Sequence, residues 1–326
     1  KAVRSSIIIT NTEWGIYLPN SPVVMPRGTF TYTASYANRP TGGHWFSYVY
    51  KANILYQYKI LSVATQLVGL KEFNGPFVSQ NGSSTVIATV GNLYPKMLMA
   101  CAAYDGRYGI DMAVGFGDNQ DDITFTTVTE DVIAGGTSHA SQNTQLLAMN
   151  SAETKFLVLG QPRTGTSNSF ITKARVISFA NATNTLTPAA STASVGGSYT
   201  VGGLHAIAMS ETVAVVMIRA GQFNSKVQLY QLTIGAADAI TVVKIGADYP
   251  SNTSDATLTT MIGGNYGFCF TQQGVYPNVP LVAEILTIAG GTVSRSAPIS
   301  LPGTNGAQGC QMYADSSGFS YNGVIF

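Results

Sequence analysis

The chain has 326 residues and a formal net charge of +1, and only 10% of its residues are charged. Nucleic-acid binders usually carry a basic patch or stripe, whereas Lys and Arg are scattered singly along this chain, so we expect no nucleic-acid partner. The chain contains no run of about eighteen apolar residues, and we therefore expect no membrane insertion.

A motif of two strands joined by a tight turn recurs six times along the chain. The first strand of each pair, strand a, is mostly small or apolar, and the turn to strand b contains Gly, Asp, Asn, Ser or Glu. Such residues accept the backbone conformations that a hairpin turn requires. The predicted hairpins are Thr31–Asn38/Trp45–Tyr50, Met97–Tyr104/Tyr108–Val114, Gln145–Asn150/Thr154–Leu159, Leu204–Ser210/Thr212–Ile218, Thr257–Gly263/Gly267–Thr271 and Cys310–Asp315/Phe319–Ile325.

A third strand, c, follows each hairpin, and a weaker strand d follows c. Alternation of apolar and polar residues, which is typical of a half-buried strand, is clearest in Val227–Ile234. A unit of about 54 residues made only of strands and turns is typical of a β-propeller blade. The predicted c strands are Ser6–Thr10, Asn53–Leu61, Ile123–Val128, Ala174–Phe179, Val227–Ile234 and Val282–Ile288.

The two ends of the chain read as complementary strands of one unit. Val3–Thr10 reads as a c strand and Phe319–Phe326 as a b strand. Pairing them would close a ring and remove an exposed sheet edge. We therefore predict an all-β fold in which residues 1–326 form one six-bladed β-propeller of four-stranded blades. The rival interpretation is a two-sheet sandwich, which does not require six hairpin repeats or complementary strands at the two ends of the chain.

No metal site or cofactor is predicted. His139 and His205 can approach the same end of the axial channel, but we expect them to hydrogen-bond backbone or solvent. The loop Gly117–Asp122 has the closely spaced oxygen ligands that Ca²⁺ requires, yet it lacks the EF-hand pattern, which favours a solvated loop. The cysteines lack metal-binding spacing and are expected to be small buried residues. They are Cys101, Cys269 and Cys310.

Residues with catalytic chemistry are few. Glycoside hydrolysis requires two carboxylates about 5 to 10 Å apart. Asp111 and Asp255 are the nearest candidates, on separate blades, and Glu130 and Asp131 are expected on the opposite face from the Gly117–Asp122 loop. No nucleophile elbow, phosphate loop or zincin motif is present. We therefore predict that the protein is not an enzyme.

The predicted topology separates two faces. The a–b and c–d turns share one, the tight-turn face, and the b–c and d–a connections share the other, the long-loop face. Binding residues concentrate in loops that a rigid scaffold presents, so a ligand is expected at the long-loop face. The long loops are Asn74–Leu93, Gly115–Asp122, Gly160–Ser169, Leu186–Gly203, Ala220–Ser225 and Gln273–Val279. The predicted ligand-binding residues are Tyr276, Phe223, Tyr249, Arg163, Gln222 and Asn278. The aromatic ones can instead pack under their own loops.

The low charge, the strands rich in Ser, Thr, Asn and Gly, and phrases such as Leu286–Val293 resemble bacteriophage virion propellers, which occur in tail hubs, nozzles, fibres and receptor-binding proteins. Met312–Tyr321 is similar to the blade pattern of NHL proteins. The resemblance implies a virion or extracellular location, with a host-surface glycan or protein and other virion proteins as partners.

We therefore predict a non-enzymatic virion attachment or tail/fibre component that binds its ligand through the long-loop face. A purely structural virion subunit is one alternative, and a flat apolar contact surface would favour it. A glycan-processing hydrolase on a propeller scaffold is another, and a convergent pair of carboxylates would favour it.

Overall fold

The computed structural model describes backbone and side chains for residues 96–103, 108–116, 124–135, 143–163, 169–197, 203–218, 226–249 and 284–298, and elsewhere the backbone of the strands named below. In these parts of the chain the secondary structure is β, apart from one short 3₁₀ turn, Ala236–Asp238. The predicted all-β class is confirmed. No helix in the same residues is long and apolar enough to cross a membrane.

The described strands form seven sheets, each built from consecutive strands with antiparallel pairing. Sheet 1 holds β1 (Ser6–Ile9), β2 (Trp14–Leu18) and β3 (Ser21–Met25). Sheet 2 holds β4 (Ser35–Asn38), β5 (His44–Lys51), β6 (Ile54–Leu61) and β7 (Leu67–Asn74). Sheet 3 holds β8 (Thr85–Thr89), β9 (Met97–Ala102), β10 (Ile110–Asn119), β11 (Asp122–Phe125) and β12 (Thr129–Ile133).

Sheet 4 holds β13 (Gln142–Ala148), β14 (Lys155–Gln161), β15 (Arg163–Thr164), β16 (Ser169–Ala180), β17 (Thr185–Pro188) and β18 (Ala193–Tyr199). Sheet 5 holds β19 (Gly202–Ala208), β20 (Val213–Ala220), β21 (Lys226–Ile234) and β22 (Ile240–Lys244). Sheet 6 holds β23 (Ala256–Thr260), β24 (Tyr266–Gln272), β25 (Leu281–Ala289), β26 (Thr292–Arg295) and β27 (Ile299–Ser300). Sheet 7 holds β28 (Met312–Asp315), β29 (Gly318–Tyr321) and β30 (Val324–Ile325).

In sheets 2 to 7, the first strand of each sheet lies beside the first strand of the next. These inner strands are β4, β8, β13, β19, β23 and β28. The later strands of each sheet pair outward from this inner row in chain order. The predicted hairpins of sheets 2, 4, 5, 6 and 7 therefore each supply the inner strand and its neighbour.

Sheet 3 differs from its prediction by one strand. The hairpin of β9 and β10 is predicted to be innermost, but β8, a short Thr-Val-Ile-Ala-Thr strand, pairs inside it. Residues of this type favour strands, although they lie within the predicted loop Asn74–Leu93. As a result the turn between β10 and β11 lies at the tight-turn face, and Gly117–Asp122 no longer belongs to the long-loop face. The side chains of that acidic loop lie outside the described residues.

The predicted pairing of Val3–Thr10 with Phe319–Phe326 is not found among the described strand pairs. The strand β1 pairs with β2, and β29 pairs with β28 and β30. Both predicted strands are followed or interrupted by residues that favour turns, Asn11 after the first and Asn322-Gly323 within the second. Such residues allow each segment to fold back on its own neighbour.

Apolar side chains fill the spaces between consecutive sheets. Alternate residues of β14 pack toward sheet 3 and toward sheet 5, because successive side chains of a strand point to opposite sides. Phe156 and Val158 pack with the core shared by sheets 3 and 4, while Leu157 and Leu159 pack with the core shared by sheets 4 and 5. A third core lies between sheets 5 and 6. The middle strands are therefore buried on both sides.

Polar side chains also tie one sheet to the next. Lys96 of sheet 3 donates to Asn181 of sheet 4, with Nζ 2.7 Å from the amide Oδ1. Lys155 of sheet 4 and Asp238 of sheet 5 form an ion pair at 2.6 Å. These ties lie at the edges of the cores, where water limits the gain from each ion pair to about 1 kcal/mol or less.

Truncation of a side chain between sheets should lower stability more than truncation on the rim. Leu159 is fully buried, so Leu159→Ala should reduce the free energy of unfolding by about 2–5 kcal/mol through lost contacts and the cavity left behind. The control Val243→Ala, at a side chain 55% exposed, should change it by less than about 0.5 kcal/mol. Urea denaturation of both variants measures the difference. Equal effects would contradict the packing described here.

Candidate functional site

Two acidic residues lie on paired strands at the long-loop end of sheet 3. Asp111 lies near the start of β10, and Asp131 lies opposite it on β12. The backbone N–H of Asp131 donates to Asp111 Oδ1 at 2.8 Å. Asp111 is 5% exposed. Its carboxylate is thus buried and oriented by its neighbour, and an amide donor stabilises the ionised form.

The backbone around this carboxylate pair is irregular. The register of β10 and β12 shifts between Ile110 and Met112, as in a β-bulge. Tyr108 and Asp131 adopt left-handed conformations, with φ of 56° and 50°. Such conformations cost of the order of 1 kcal/mol or more for a residue with a side chain, and bulges and strained residues concentrate near functional sites.

One oxygen of the pair has no partner. Asp131 Oδ1 is buried and accepts no hydrogen bond from the described residues. A Cβ at Gly109 would lie 2.4 Å from this oxygen and 2.6 Å from the Ile133 carbonyl oxygen, so the carboxylate needs glycine at this position. A buried carboxylate oxygen without a donor is costly. A hydroxyl group of a bound molecule would supply the missing donor.

Sheet 4 fixes the strand that carries Asp131. Arg175 Nη1 donates to the Val132 carbonyl oxygen at 2.9 Å, and its Nε donates to the Ala189 carbonyl oxygen at 2.6 Å. Lys173 Nζ donates to the Ala134 carbonyl oxygen at 3.4 Å. Side chains of sheet 4 therefore hold the backbone that follows Asp131 in place, and this limits the movement of the Asp131 side chain.

A second polar group, the Gln161 cluster, lies at the same end of the structure between sheets 4 and 5. It contains Asn143, Gln161 and Thr172. Gln161 is fully buried; its Oε1 accepts from Asn143 Nδ2 at 2.8 Å, and its Nε2 donates to Thr172 Oγ1 at 3.3 Å. Nε2 also lies 3.4 Å from the Gly203 carbonyl oxygen of sheet 5. This cluster closes the end of the core between the two sheets.

The carboxylate pair and the Gln161 cluster are separate sites. Ile110 and Met112 pack into the core that sheets 3 and 4 share. Asp111 lies between them on β10, so its side chain leaves the strand on the opposite side. The Gln161 cluster lies beyond sheet 4, toward sheet 5.

A third polar group, the Tyr249 cluster, joins sheets 5 and 6. Glu284 of β25 is 3% exposed and accepts from Arg295 of β26 through both oxygens, at 2.7 and 3.0 Å. The Tyr249 hydroxyl donates to Glu284 Oε2. Arg295 also lies over the Tyr249 ring, 4.1 Å from its centroid, and donates to the Ala247 carbonyl oxygen at 2.8 Å. The buried carboxylate is fully engaged, which suits a structural ion pair rather than a catalytic one.

Two of the predicted ligand-binding residues are described, and both are buried. Arg163 is 8% exposed on β15, and Tyr249 is 2% exposed within the Tyr249 cluster. Tyr249 packs against Glu284 and Arg295 of sheet 6, so its ring is buried. The other four predictions lie outside the described residues. They are Tyr276, Phe223, Gln222 and Asn278.

The sequence analysis names Asp111 but places Asp131 on the wrong face. With β8 inside sheet 3, Asp131 lies at the long-loop end beside Asp111. His205 is exposed on β19, whereas the side chains of His139 and Asp255 lie outside the described residues. No group of three or more His, Cys, Asp or Glu side chains in the described ranges could hold a metal ion.

No family model and no curated protein matches the chain. Solved structures match it at low similarity. The periplasmic gluconolactonase of Pseudomonas aeruginosa has a TM-score of 0.41 and 9% identity, over 90% of this chain and 91% of that one. A GH32 beta-fructofuranosidase of Bombyx mori has a TM-score of 0.39 and 6% identity, over 82% and 65%. The GH43B protein of Bacteroides ovatus has a TM-score of 0.36 and 12% identity, over 84% and 57%.

These matches overturn the prediction of a non-enzymatic attachment or tail/fibre component. The first two proteins are named as enzymes, and none of the three is named as an attachment protein. We therefore set that function aside. At TM-scores this low the matches do not assign the chain to any of these proteins' families, so an enzymatic function must be supported by residues of this chain.

The Tyr249 cluster should contribute strongly to stability. Glu284→Gln would leave the Arg295 guanidinium buried without its counter-ion, so we expect a loss of about 3–5 kcal/mol in the free energy of unfolding. Tyr249→Phe removes one hydrogen bond and should cost about 1–2 kcal/mol. Glu211→Gln, in an exposed turn, is the matched control and should have little effect. Denaturation curves that do not separate Glu284→Gln from this control would contradict the structural role.

Asp248 should make stability depend on acid pH. The hydrogen bond from Lys244 is the main cause that lowers its pKa, and Gln228 adds a second hydrogen bond at 3.2 Å. A carboxyl whose pKa is lowered by folding stabilises the native state above its unfolded pKa and loses that contribution as pH falls through the folded value. Because both partners are partly exposed, we expect about 1 kcal/mol or less. The stability difference between wild type and Asp248→Asn, measured in urea from pH 6 to pH 2.5, should shrink toward low pH. A constant difference would contradict it.

Proposed function

We propose that this chain is a glycan-processing hydrolase whose catalytic groups are Asp111 and Asp131. The observation that carries the proposal is their pairing at the long-loop end of sheet 3. One carboxylate is buried and bonded to an amide donor, and the other has a buried oxygen without a donor. Glycoside hydrolysis requires two carboxyl groups that differ in protonation state across one bond.

The two environments suit two roles. Asp111 receives the Asp131 amide hydrogen bond, which favours its ionised form, and it acts as the nucleophile or base. Asp131, whose Oδ1 has no partner among the described residues, acts as the acid. In the reaction Asp131 protonates the glycosidic oxygen, the bond from that oxygen to the anomeric carbon breaks, and the oxygen of a water molecule joins the anomeric carbon. The proton of that water passes to a carboxylate.

Asp111 is buried, so a substrate would reach the pair from the side of Asp131. Asp131 is partly exposed although its Oδ1 is buried. The long-loop face is also where the sequence analysis places ligand binding. A host-surface glycan, predicted there as a binding partner, becomes the substrate in this proposal. The bacteriophage resemblance and the virion or extracellular location remain predictions.

We propose in addition that the sheets are blades of a six-bladed propeller. What supports it is the inner row of six strands, β4, β8, β13, β19, β23 and β28, which lie side by side in chain order. Outward pairing of three or more strands in each sheet supports it as well. In such a scaffold the inner strands start at the long-loop face.

Hydrolysis by the purified chain tests the function. Aryl glycosides and polysaccharides are incubated with it, and released nitrophenol and reducing ends are measured, with a bell-shaped pH profile expected for an acid–base pair. Asp111→Asn and Asp131→Asn should each lower kcat by about 10²–10⁴-fold. Asp238→Asn is the matched control, because Asp238 pairs with Lys155 at the tight-turn face, and it should retain activity.

Two results would reject the proposal. One is the absence of hydrolysis across the panel by wild-type protein with a cooperative unfolding transition. The other is full activity in folded Asp111→Asn and Asp131→Asn proteins.

A further inference from the structure

Two cationic side chains of sheet 4 project toward sheet 3. Lys173 and Arg175 lie two residues apart on β16, so both side chains leave the strand on the same side. Lys173 Nζ donates to the Ala134 carbonyl oxygen at 3.4 Å, and Arg175 Nη1 donates to the Val132 carbonyl oxygen at 2.9 Å. Both acceptors belong to β12 or follow it directly. The two side chains, which we call the Lys173–Arg175 pair, therefore face an outer strand of sheet 3.

The Lys173–Arg175 pair has no carboxylate partner among the described residues. In this part of the chain both side chains bond to backbone carbonyl oxygens instead. Four other described cations are ion-paired with Asp or Glu. They are Lys155, Lys226, Lys244 and Arg295. Two neighbouring cations that no described carboxylate contacts favour an anion as ligand.

Arg175 is held in a fixed orientation from two directions. Its Nη1 bonds to Val132 of sheet 3, and its Nε donates to the carbonyl oxygen of Ala189, which directly follows β17, at 2.6 Å. Its Nη2 has no hydrogen bond with the described residues, yet it is not buried. A guanidinium fixed in this way loses little freedom on binding. Its planar donors match the oxygens of a carboxylate or sulfate group.

A hydroxyl group lies beside the Lys173–Arg175 pair. Ser194 of β18 is directly opposite Lys173 in the antiparallel register, and the side chains of opposed residues share one side of the sheet. Ser194 and Ala134 are exposed, so this surface is open to solvent between sheets 3 and 4. The Ser194 hydroxyl can donate to or accept from a sugar hydroxyl. Two cations and a hydroxyl on one open surface suit a sugar that carries an acidic group.

The Lys173–Arg175 pair also adjoins the strand that carries the proposed acid. Val132, to which Arg175 donates, directly follows Asp131 in β12. We propose that the Lys173–Arg175 pair binds the acidic groups of a polysaccharide, with Ser194 bonded to a sugar hydroxyl. The substrate of the proposed hydrolase is then an acidic glycan, and this last step alone rests on the proposed function.

Titration calorimetry on the whole chain with a galacturonate oligomer tests the proposal. The fully methyl-esterified oligomer of the same length is the matched control ligand, since it keeps the sugar chain and loses the charge. The acidic oligomer should bind saturably and at least about tenfold more tightly than the ester. Added NaCl should weaken its binding, because salt screens the charges. Inorganic sulfate, the free-anion comparison, should bind more weakly than the acidic oligomer.

Lys173→Gln should weaken binding of the acidic oligomer by about three- to tenfold, since a charge-assisted hydrogen bond is lost. Lys226→Gln is the matched control variant, because it removes the same charge from an exposed lysine of sheet 5 that pairs with Asp248. Its affinity should stay within about twofold of wild type, since sheet 4 and a screening length of solvent separate it from the pair. Arg175→Lys keeps the charge without the planar fork and should also weaken binding.

Three results would overturn the proposed site. They are the absence of saturable binding, equal binding of the acidic oligomer and either its ester or sulfate, and equal loss of affinity in Lys173→Gln and Lys226→Gln. Reducing ends released from the same oligomer are measured separately. Binding without release, in a protein that hydrolyses other glycans, would reject the acidic glycan as the substrate. No release from any glycan would reject the proposed function and not the anion site.

Discussion

The burial of sheets 4 and 5 on both of their sides is the constraint on which the rest of the described structure depends. In these two sheets, apolar residues from alternate positions of the middle strands enter two different cores. Burying one such side chain contributes about 1.5–3 kcal/mol relative to leaving it exposed. A polar group inside these cores would need a partner for every donor and acceptor. Polar clusters therefore lie at the ends and outer edges of the described sheets.

Part of this architecture follows from the sequence because its signals are local. The predicted c strand Val227–Ile234 agrees with β21 within one residue, since alternation and a following Gly mark it without reference to the rest of the chain. The same holds for the hairpin of β19 and β20, whose turn contains Ser, Glu and Thr. Hairpins with their own turn chemistry are recognisable from short segments.

The parts that sequence analysis missed depend on distant partners. Thr85–Thr89 is five residues long, and its place inside β9 is decided by pairing and by the strands beside it. That one strand puts Asp111 and Asp131 at the long-loop end, whereas the predicted topology puts the turns beside both residues at the tight-turn face, where no ligand was expected. Likewise, the exposure of Tyr249 depends on Glu284, 35 residues further along the chain. No local pattern indicates that contact.

Several hydrogen bonds between the described sheets join a side chain of one sheet to a backbone carbonyl oxygen of another. Arg175 reaches Val132, Arg295 reaches Ala247, and Gln231 reaches Gly291 in this way. A backbone carbonyl is present whatever residue supplies it, so these hydrogen bonds restrict the identity of the donor residue and not that of the acceptor. Amino-acid substitution is therefore restricted unequally by these contacts. The donating sheet must keep particular side chains, whereas the accepting sheet must keep only the position of its backbone.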